Sequence, residues 1–245
     1  MVREIRRSMP DAEIIYVADD AGFPYGEWAA ATLSEHVVTV IEGLVERYEP
    51  DAAVIACNTV STLALPPLRA RLTLPIVGTV PAIKPAAAQT KSGLVSVLAT
   101  SATIQRDYTR DLIQSFARSC DVHLVGSSRL APLAELHMSG GAVNDVEVFS
   151  EIEPAFVEAA GRRTDTIVLA CTHFPFLSEK FRRLAPWPVS WIDPAEAIAR
   201  RVRDVVGPTG QGPTAGRALL TSGKAWPMAS NRILTALGLE SGSQP

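Results

Sequence analysis

Long apolar runs are missing from this sequence. None approaches the roughly 18 residues of a membrane-spanning helix, and the first residues, Met1-Val2-Arg3-Glu4-Ile5-Arg6-Arg7, run toward a strand without a signal-type apolar stretch. A cytoplasmic protein is the expectation. Cysteine is scarce as well: 3 in 245 residues, an odd number and widely spaced, which argues against a disulfide framework. Neither sign of charge is in large surplus, the net charge being −3 and the pI near 5.8. The arginines are scattered, so the chain carries no electrostatic footprint for nucleic acid or an anionic membrane. Gly-rich ligand loops are absent too. Gly22, Gly26 and Gly78 stand isolated, and no Walker-type Gly-Lys-Ser/Thr and no Gly-x-Ser-x-Gly elbow occurs. Lysines stand only at 84, 91, 180 and 224, away from every cysteine, which leaves pyridoxal chemistry without an obvious anchor. A small neutral or anionic molecule is the expected partner.

What is present reads as a soluble α/β protein, 47% hydrophobic and 20% charged. Short Val/Ile/Leu-rich runs at 13–18, 52–57, 75–78, 94–99, 122–126, 166–170 and 189–192 are apolar on both faces, as buried parallel strands are. Segments of helical spacing alternate with them, at 27–48, 61–72, 102–118, 146–160 and 194–205. A Gly/Pro-rich stretch, 207–216, reads as a mobile linker. Beyond it the pattern predicts an edge strand at 217–221, a terminal helix at 228–239 and frayed residues at 241–245. Near the start, Val2, Ile5 and Met9 follow helical spacing.

An internal repeat is the most informative feature. Asp51-Ala-Ala-Val-Ile-Ala-Cys-Asn-Thr59 aligns without gaps on Asp165-Thr-Ile-Val-Leu-Ala-Cys-Thr-His173, at an offset of 114 residues. A period this long points to two duplicated lobes and not to a solenoid. The expected architecture is two pseudo-symmetric lobes, each a mainly parallel sheet flanked by helices, with the active site between them. One lobe takes 1–81 and 190–245, with the 207–216 linker, and the other 82–189. Each presents a cysteine, Cys57 or Cys171, at the carboxyl end of an equivalent strand.

A thiol between a strand end and a helix start sits near unpaired N–H groups and the positive end of the helix dipole, both of which favour the thiolate. Asn58 and Thr59, with Thr172 and His173, add groups able to hold a carboxylate or an amino group. Two thiols on opposite sides of a tetrahedral carbon form an acid/base pair, one removing a proton while the other returns one. The product is the inverted stereocentre, with no cofactor needed. A lone strand-end cysteine is ordinarily a small buried hydrophobe, and Cys120 is read that way. A zinc site from Cys57, Cys171 and His173 is disfavoured, because Cys-x-His is unlike the usual ligand spacing and no second pair is in sight.

Ala56-Cys57-Asn58-Thr59 and Ala170-Cys171-Thr172-His173-Phe174-Pro175, with Tyr16-Val17-Ala18-Asp19 leading into Phe23-Pro24-Tyr25-Gly26, resemble the glutamate racemases of the aspartate/glutamate racemase superfamily. The strand end Leu98-Ala99-Thr100-Ser101-Ala102-Thr103 and Pro132-Leu133-Ala134-Glu135 extend the likeness, which runs from Met1 to about Val206. It implies cofactor-independent interconversion of L- and D-glutamate, feeding peptidoglycan synthesis. Cys57 and Cys171 would then be the proton donor/acceptors, assisted by Glu135 and His173, with His173 tuning Cys171. Tyr25, Gly26, Asn58, Thr59 and Thr172 would contact glutamate, helped by Thr100 and Thr103, with no metal bound. A homodimer is one form the resemblance allows; nucleic acid and membrane partners are not expected. Two other readings stay open at this point: a weakly active or non-catalytic binder in the same fold, and a racemase of aspartate or a related small acid. Relatives open with a strand ending in Asp-Ser-Gly, which this sequence does not display, so weak activity is a further expectation. Asp19 and Asp20, where relatives carry Asp-Thr, have no role assigned by the sequence.

Overall fold

The computed structural model describes residues 1–25, 28–208 and 215–242. Gly26, most of the 207–216 linker and the last three residues of the expected frayed end lie outside the described residues. Eleven strands are described, in chain order β1 Ile15–Ala18, β2 Ala53–Ile55, β3 Ile76–Gly78, β4 Leu94–Thr100, β5 Asp121–Ser127, β6 Glu158–Ala159, β7 Arg162–Arg163, β8 Thr166–Ala170, β9 Ser190–Ile192, β10 Gly216–Leu220 and β11 Leu239–Ser241. Two compact units result, one of Met1–Ala56, Leu63–Gly78 and Ala195–Pro245, the other of Cys57–Thr62 and Thr79–Pro194.

The second unit holds a four-stranded, all-parallel sheet in the order β5-β4-β8-β9. β8 is buried at every position and β4 at all but the last, which is why both read as continuous apolar runs. Side chains alternate across the sheet. Val95, Val97 and Ala99, with Val168 and Ala170, face a core closed by Ile83 and Ala86. Leu98, Ile167, Leu169 and Cys171 face the opposite core with Phe174 and Phe181, each buried aromatic contributing roughly 1.5–3 kcal/mol. The chain leaves β4 toward β5 on one side, and β8 lies on the other. The β4/β8 pair is therefore a topological switch point, the place where open parallel sheets bind ligands outside their carboxyl ends. Thr100 and Cys171 stand there.

In the first unit β1, β10 and β11 form one parallel sheet and β2 and β3 another. Helix Val2–Ser8 buries Ile5, and Met9 just beyond it, among Ile198, Val202 and Val77, so the helical spacing of the first residues prevails over a direct run into a strand.

Several expected elements are corrected. The strand near 217–221 is inner, not edge: β10 pairs with β1 on one side and β11 on the other. β11 itself falls within and just beyond the helix expected at 228–239, which stops at Ala236; Gly238, with φ 66°, turns the chain so that Leu239 is buried as a strand residue. The helix expected at 146–160 ends at Ile152, and Pro154 falls in the 3-10 turn Glu153–Ala155. The β6–β7 hairpin follows, its turn residues Ala160 and Gly161 both at positive φ. The helix at 102–118 is two, Ser101–Ile104 and Asp107–Phe116, joined where the Thr109 hydroxyl takes up the Thr103 carbonyl. Residues 79–81 and 190–194, assigned by the sequence to the first lobe, group with the second unit, β9 through its pairing with β8, and so do residues 57–62. Side-chain bonds to that unit hold them: the Thr59 hydroxyl meets Thr100 and Thr103, and the Ser61 hydroxyl accepts the Thr79 N–H.

Candidate active site

Cys57 follows β2 and opens the helix Asn58–Arg71, its carbonyl accepting the Ser61 N–H at 3.0 Å. That is the N-cap position, and the side chain behaves as a cap: the sulfur takes the backbone N–H groups of Thr59 and Val60. The helix end acts in the direction the sequence suggested, toward the thiolate. Burial outweighs it, and with the charge of nearby Cys171 adding to the effect, the Cys57 thiol is pushed up to about 11. The expectation of a thiol shifted toward thiolate is thus corrected; at neutral pH Cys57 holds its proton.

Cys171 ends β8 and is buried. No long helix follows. The Phe174 N–H bonds the Cys171 carbonyl, and a short 3-10 turn, Phe174–Leu177, leads on. His173 is hydrogen-bonded to Cys171 and, through Nε2, to Glu135 Oε1 at 2.7 Å. Burial works against the charged imidazole, but those two partners prevail and raise His173 to about 9. Glu135 is held below its usual range, chiefly by the hydrogen bond from His173. Glu135 is thus brought directly to His173, in the manner of a group that orients an imidazole.

Around Cys57 the second unit gathers polar side chains. The hydroxyls of Thr59, Thr100 and Thr103 form a closed triangle with edges of 3.1, 3.0 and 2.8 Å. Three hydroxyls carry three protons, enough for three edges; when Thr59 turns its proton to the Cys57 sulfur, with which it also bonds, one edge opens. Asn58 is 2% exposed, yet neither its Nδ2 nor its Oδ1 has a partner among the described residues. A buried amide in that condition costs about 1–3 kcal/mol, and a ligand offering both donor and acceptor would satisfy it. Thr172 lies beside Cys171, partly buried. Among the described residues no group of three or more His, Cys, Asp or Glu is arranged to hold a metal ion. Cys120 is partly buried and packs beside the core of Val95 and Val97.

In the first unit Tyr25 donates its hydroxyl to Asp19 Oδ2 at 2.6 Å. His36 Nε2 meets the same oxygen at 2.6 Å, and Thr221 donates to Oδ1 at 2.6 Å. Asp20 accepts from the Ser222 N–H and hydroxyl. The hub around Asp19 was not visible in the sequence: Asp19 could be noticed as a strand-end carboxylate, but nothing local signals a partner 202 residues away.

Comparison with known proteins settles the ancestry of this arrangement. The model of the Asp/Glu/Hydantoin racemase family matches residues 1–202. The chain belongs to that family. A relative from Rhizobium meliloti strain 1021 called glutamate racemase is 55% identical over 243 residues, covering 98% of this chain and 87% of the relative. Another of that name, from Brucella anthropi, is 58% identical over 209 residues, 85% of this chain and 75% of its own. The fold of this racemase-family chain is similar to the crystal structure of Escherichia coli glutamate racemase in complex with L-glutamate and the activator UDP-MurNAc-ala, with a TM-score of 0.86 and 37% identity over 98% of this chain and 90% of that one. Among the described residues no helix is long and apolar enough to cross a membrane.

Proposed function

We propose that this protein interconverts L- and D-glutamate by proton transfer between two cysteines, without a cofactor, and that the D-glutamate serves peptidoglycan synthesis as the family likeness implies. One observation carries the reading. Cys57 and Cys171 stand in one unit, close enough for the charge of one to act on the other, in unlike surroundings: Cys57 holds its proton, and Cys171 is bonded to a His173 kept charged at neutral pH.

The chemistry follows from that asymmetry. Cys171, paired with the His173 imidazolium, takes the proton from Cα while the Cys57 thiol gives its own to the opposite face. Cys57 is then a thiolate at a helix N-terminus, where the Thr59 and Val60 N–H groups stabilise it, and the reverse reaction starts from that state. Asn58, Thr59, Thr100, Thr103 and Thr172 are the proposed substrate contacts in this unit, with Tyr25 and Gly26 keeping the role their Pro-Tyr-Gly motif implies.

Turnover in deuterated water tests the reading. L-glutamate should give D-glutamate carrying solvent deuterium at Cα from the earliest conversion, with activity unchanged after dialysis against EDTA. Early product that keeps its original hydrogen would point to a single shuttling base. Faster turnover of aspartate than of glutamate would move the substrate, and zinc-dependent recovery after EDTA would overturn the mechanism.

A further inference from the structure

The first unit contains a second cluster of titratable groups that the two-cysteine chemistry does not use. β1 and β10 run parallel and end side by side, Ala18 opposite Leu220. Parallel strands that end together deliver their next residues to one edge, here Asp19 and Asp20 beside Thr221 and Ser222. Three segments separated in sequence converge on the Asp19 carboxylate, the loop through Tyr25, the helix Ala30–Tyr48 through His36, and Thr221 after β10, whose hydroxyl in turn accepts the Ala21 N–H of the loop at 3.3 Å. Oδ2 receives two groups at 2.6 Å and Oδ1 a third. Burial alone would raise the carboxyl, but the bonds from Thr221, Tyr25 and His36 hold it below its usual range, so it accepts as a charged group, with the stronger hydrogen bonds that a charge gives.

The loop is shaped around this carboxylate. Gly22 is buried, and a Cβ placed on it would stand 2.5 Å from Asp19 Oδ2 and 2.9 Å from both His36 Nε2 and Tyr25 Cε1. Any larger residue would push the carboxylate, the imidazole and the phenol apart. The Trp28 ring packs against His36 at a centroid distance of 4.9 Å, closing the cluster beyond the loop. Thr221 lies past residue 202, where the match to the family model ends, and Asp20 joins Ser222 by two further bonds.

We infer that Asp19 and Thr221 are positioning residues: they tether the loop that carries Tyr25 to the end of β10, and so set the affinity for the substrate that this loop contacts. The substrate clause rests on the glutamate reading above; the tether itself does not. Because the tether orders a binding loop and touches no reacting atom, its loss raises KM with kcat nearly unchanged.

Thr221→Val, Thr221→Ser and Asp19→Asn in the full chain test this with two measurements. Amide hydrogen exchange of the peptide covering 19–25, followed without substrate, reads the tether. Racemisation of L-glutamate by circular dichroism reads KM against kcat. Expected for Thr221→Val and Asp19→Asn are faster exchange in 19–25, with exchange in β4 and β8 unchanged, and a KM raised about tenfold at a kcat within twofold of the parent. Thr221→Ser, which keeps the hydroxyl, should restore both. Exchange unchanged in Thr221→Val and Asp19→Asn would overturn the tether. Faster exchange with an unchanged KM would overturn its link to substrate. Equal loss in Thr221→Ser and Thr221→Val would mark a packing role and overturn the assignment to the hydroxyl. A parent protein that does not racemise glutamate would remove the substrate reading, while the exchange result still decides the tether. A variant that fails to fold is replaced by Tyr25→Phe, which removes one donor to Asp19 and should raise exchange in 19–25; unchanged exchange overturns the tether, and KM is not used for this variant because Tyr25 is itself a proposed substrate contact.

Discussion

The two copies of the repeat, 51–59 and 165–173, share an aspartate at the start and a cysteine near the end, but the paired residues do not share surroundings. Asp51 is exposed. Asp165 accepts from the Thr90 and Thr166 hydroxyls and the Lys91 and Ser92 N–H groups; burial opposes the charge, but these donors hold its carboxyl at about 2. At the other end Cys57 caps a 14-residue helix and keeps its proton, while Cys171 meets a turn and a charged histidine. A reversible proton exchange needs one full and one empty acid/base at any moment. On the proposed mechanism, copies with identical surroundings would favour neither assignment, and the burial that keeps the proton on Cys57 tells them apart.

Removing either sulfur is the strongest way to break the comparison. Cys57→Ser and Cys171→Ser should each lower turnover by about 10²- to 10⁴-fold, because a hydroxyl is far too weak an acid to exchange the proton at neutral pH. Circular dichroism serves twice, at the glutamate signal for rate and in the far ultraviolet for an unchanged fold. Next in size is Asn58→Leu. Its amide has no partner among the described residues, so turnover should fall about 10- to 100-fold while the free protein melts at the same temperature or a few degrees higher. A drop in melting temperature would mean the amide is satisfied without substrate.

Asp165→Asn should cost about 1–3 kcal/mol of stability, and Asp51→Asn less than about 0.5 kcal/mol, by urea denaturation; equal effects would erase the distinction between the copies. The Asp165 value lies below the ordinary 3.8, so its stabilisation is full above about pH 4 and is lost as pH falls through about 2. The smallest effect belongs to His173. Its folded value of about 9 lies above the ordinary 6.5, so its contribution is complete below about pH 6.5 and disappears as pH rises through about 9. The melting difference between the parent and His173→Gln should narrow over that window. It will be modest, since Glu135 is half exposed and solvent screens the pair. In Glu135→Gln the His173 titration followed by NMR should move down.

Strands buried on both faces were legible in sequence from their apolar runs: β8 falls where expected and β4 within a residue, while β5, at the sheet edge and exposed at alternate positions of its first half, falls within a residue at each end. The cysteines could be singled out because the repeat lifts two ordinary residues out of the background, and the structure places both in one unit. What escaped depends on distance along the chain or on a single turn. β11 hides in helical spacing that Gly238 interrupts, and the β6–β7 hairpin is too short to leave a pattern. The protonation of Cys57 escaped for a different reason: a motif shows the helix N-terminus that favours the thiolate but not the burial that opposes it. Asp19 escaped because its partners come from opposite ends of the sequence.

The triangle of Thr59, Thr100 and Thr103 can be wired clockwise or anticlockwise, and both senses use the same three oxygen positions. Switching between them rotates hydroxyls and displaces no heavy atom, an event of picoseconds to nanoseconds for side chains free to turn. The two proposed substrates are mirror images, so whatever contacts them must present donors to one hand and then to the other within a single turnover. A rigid amide would have to swing; a ring of rotors only re-addresses its protons, leaving the scaffold of β4 and the helix from Asn58 where it was.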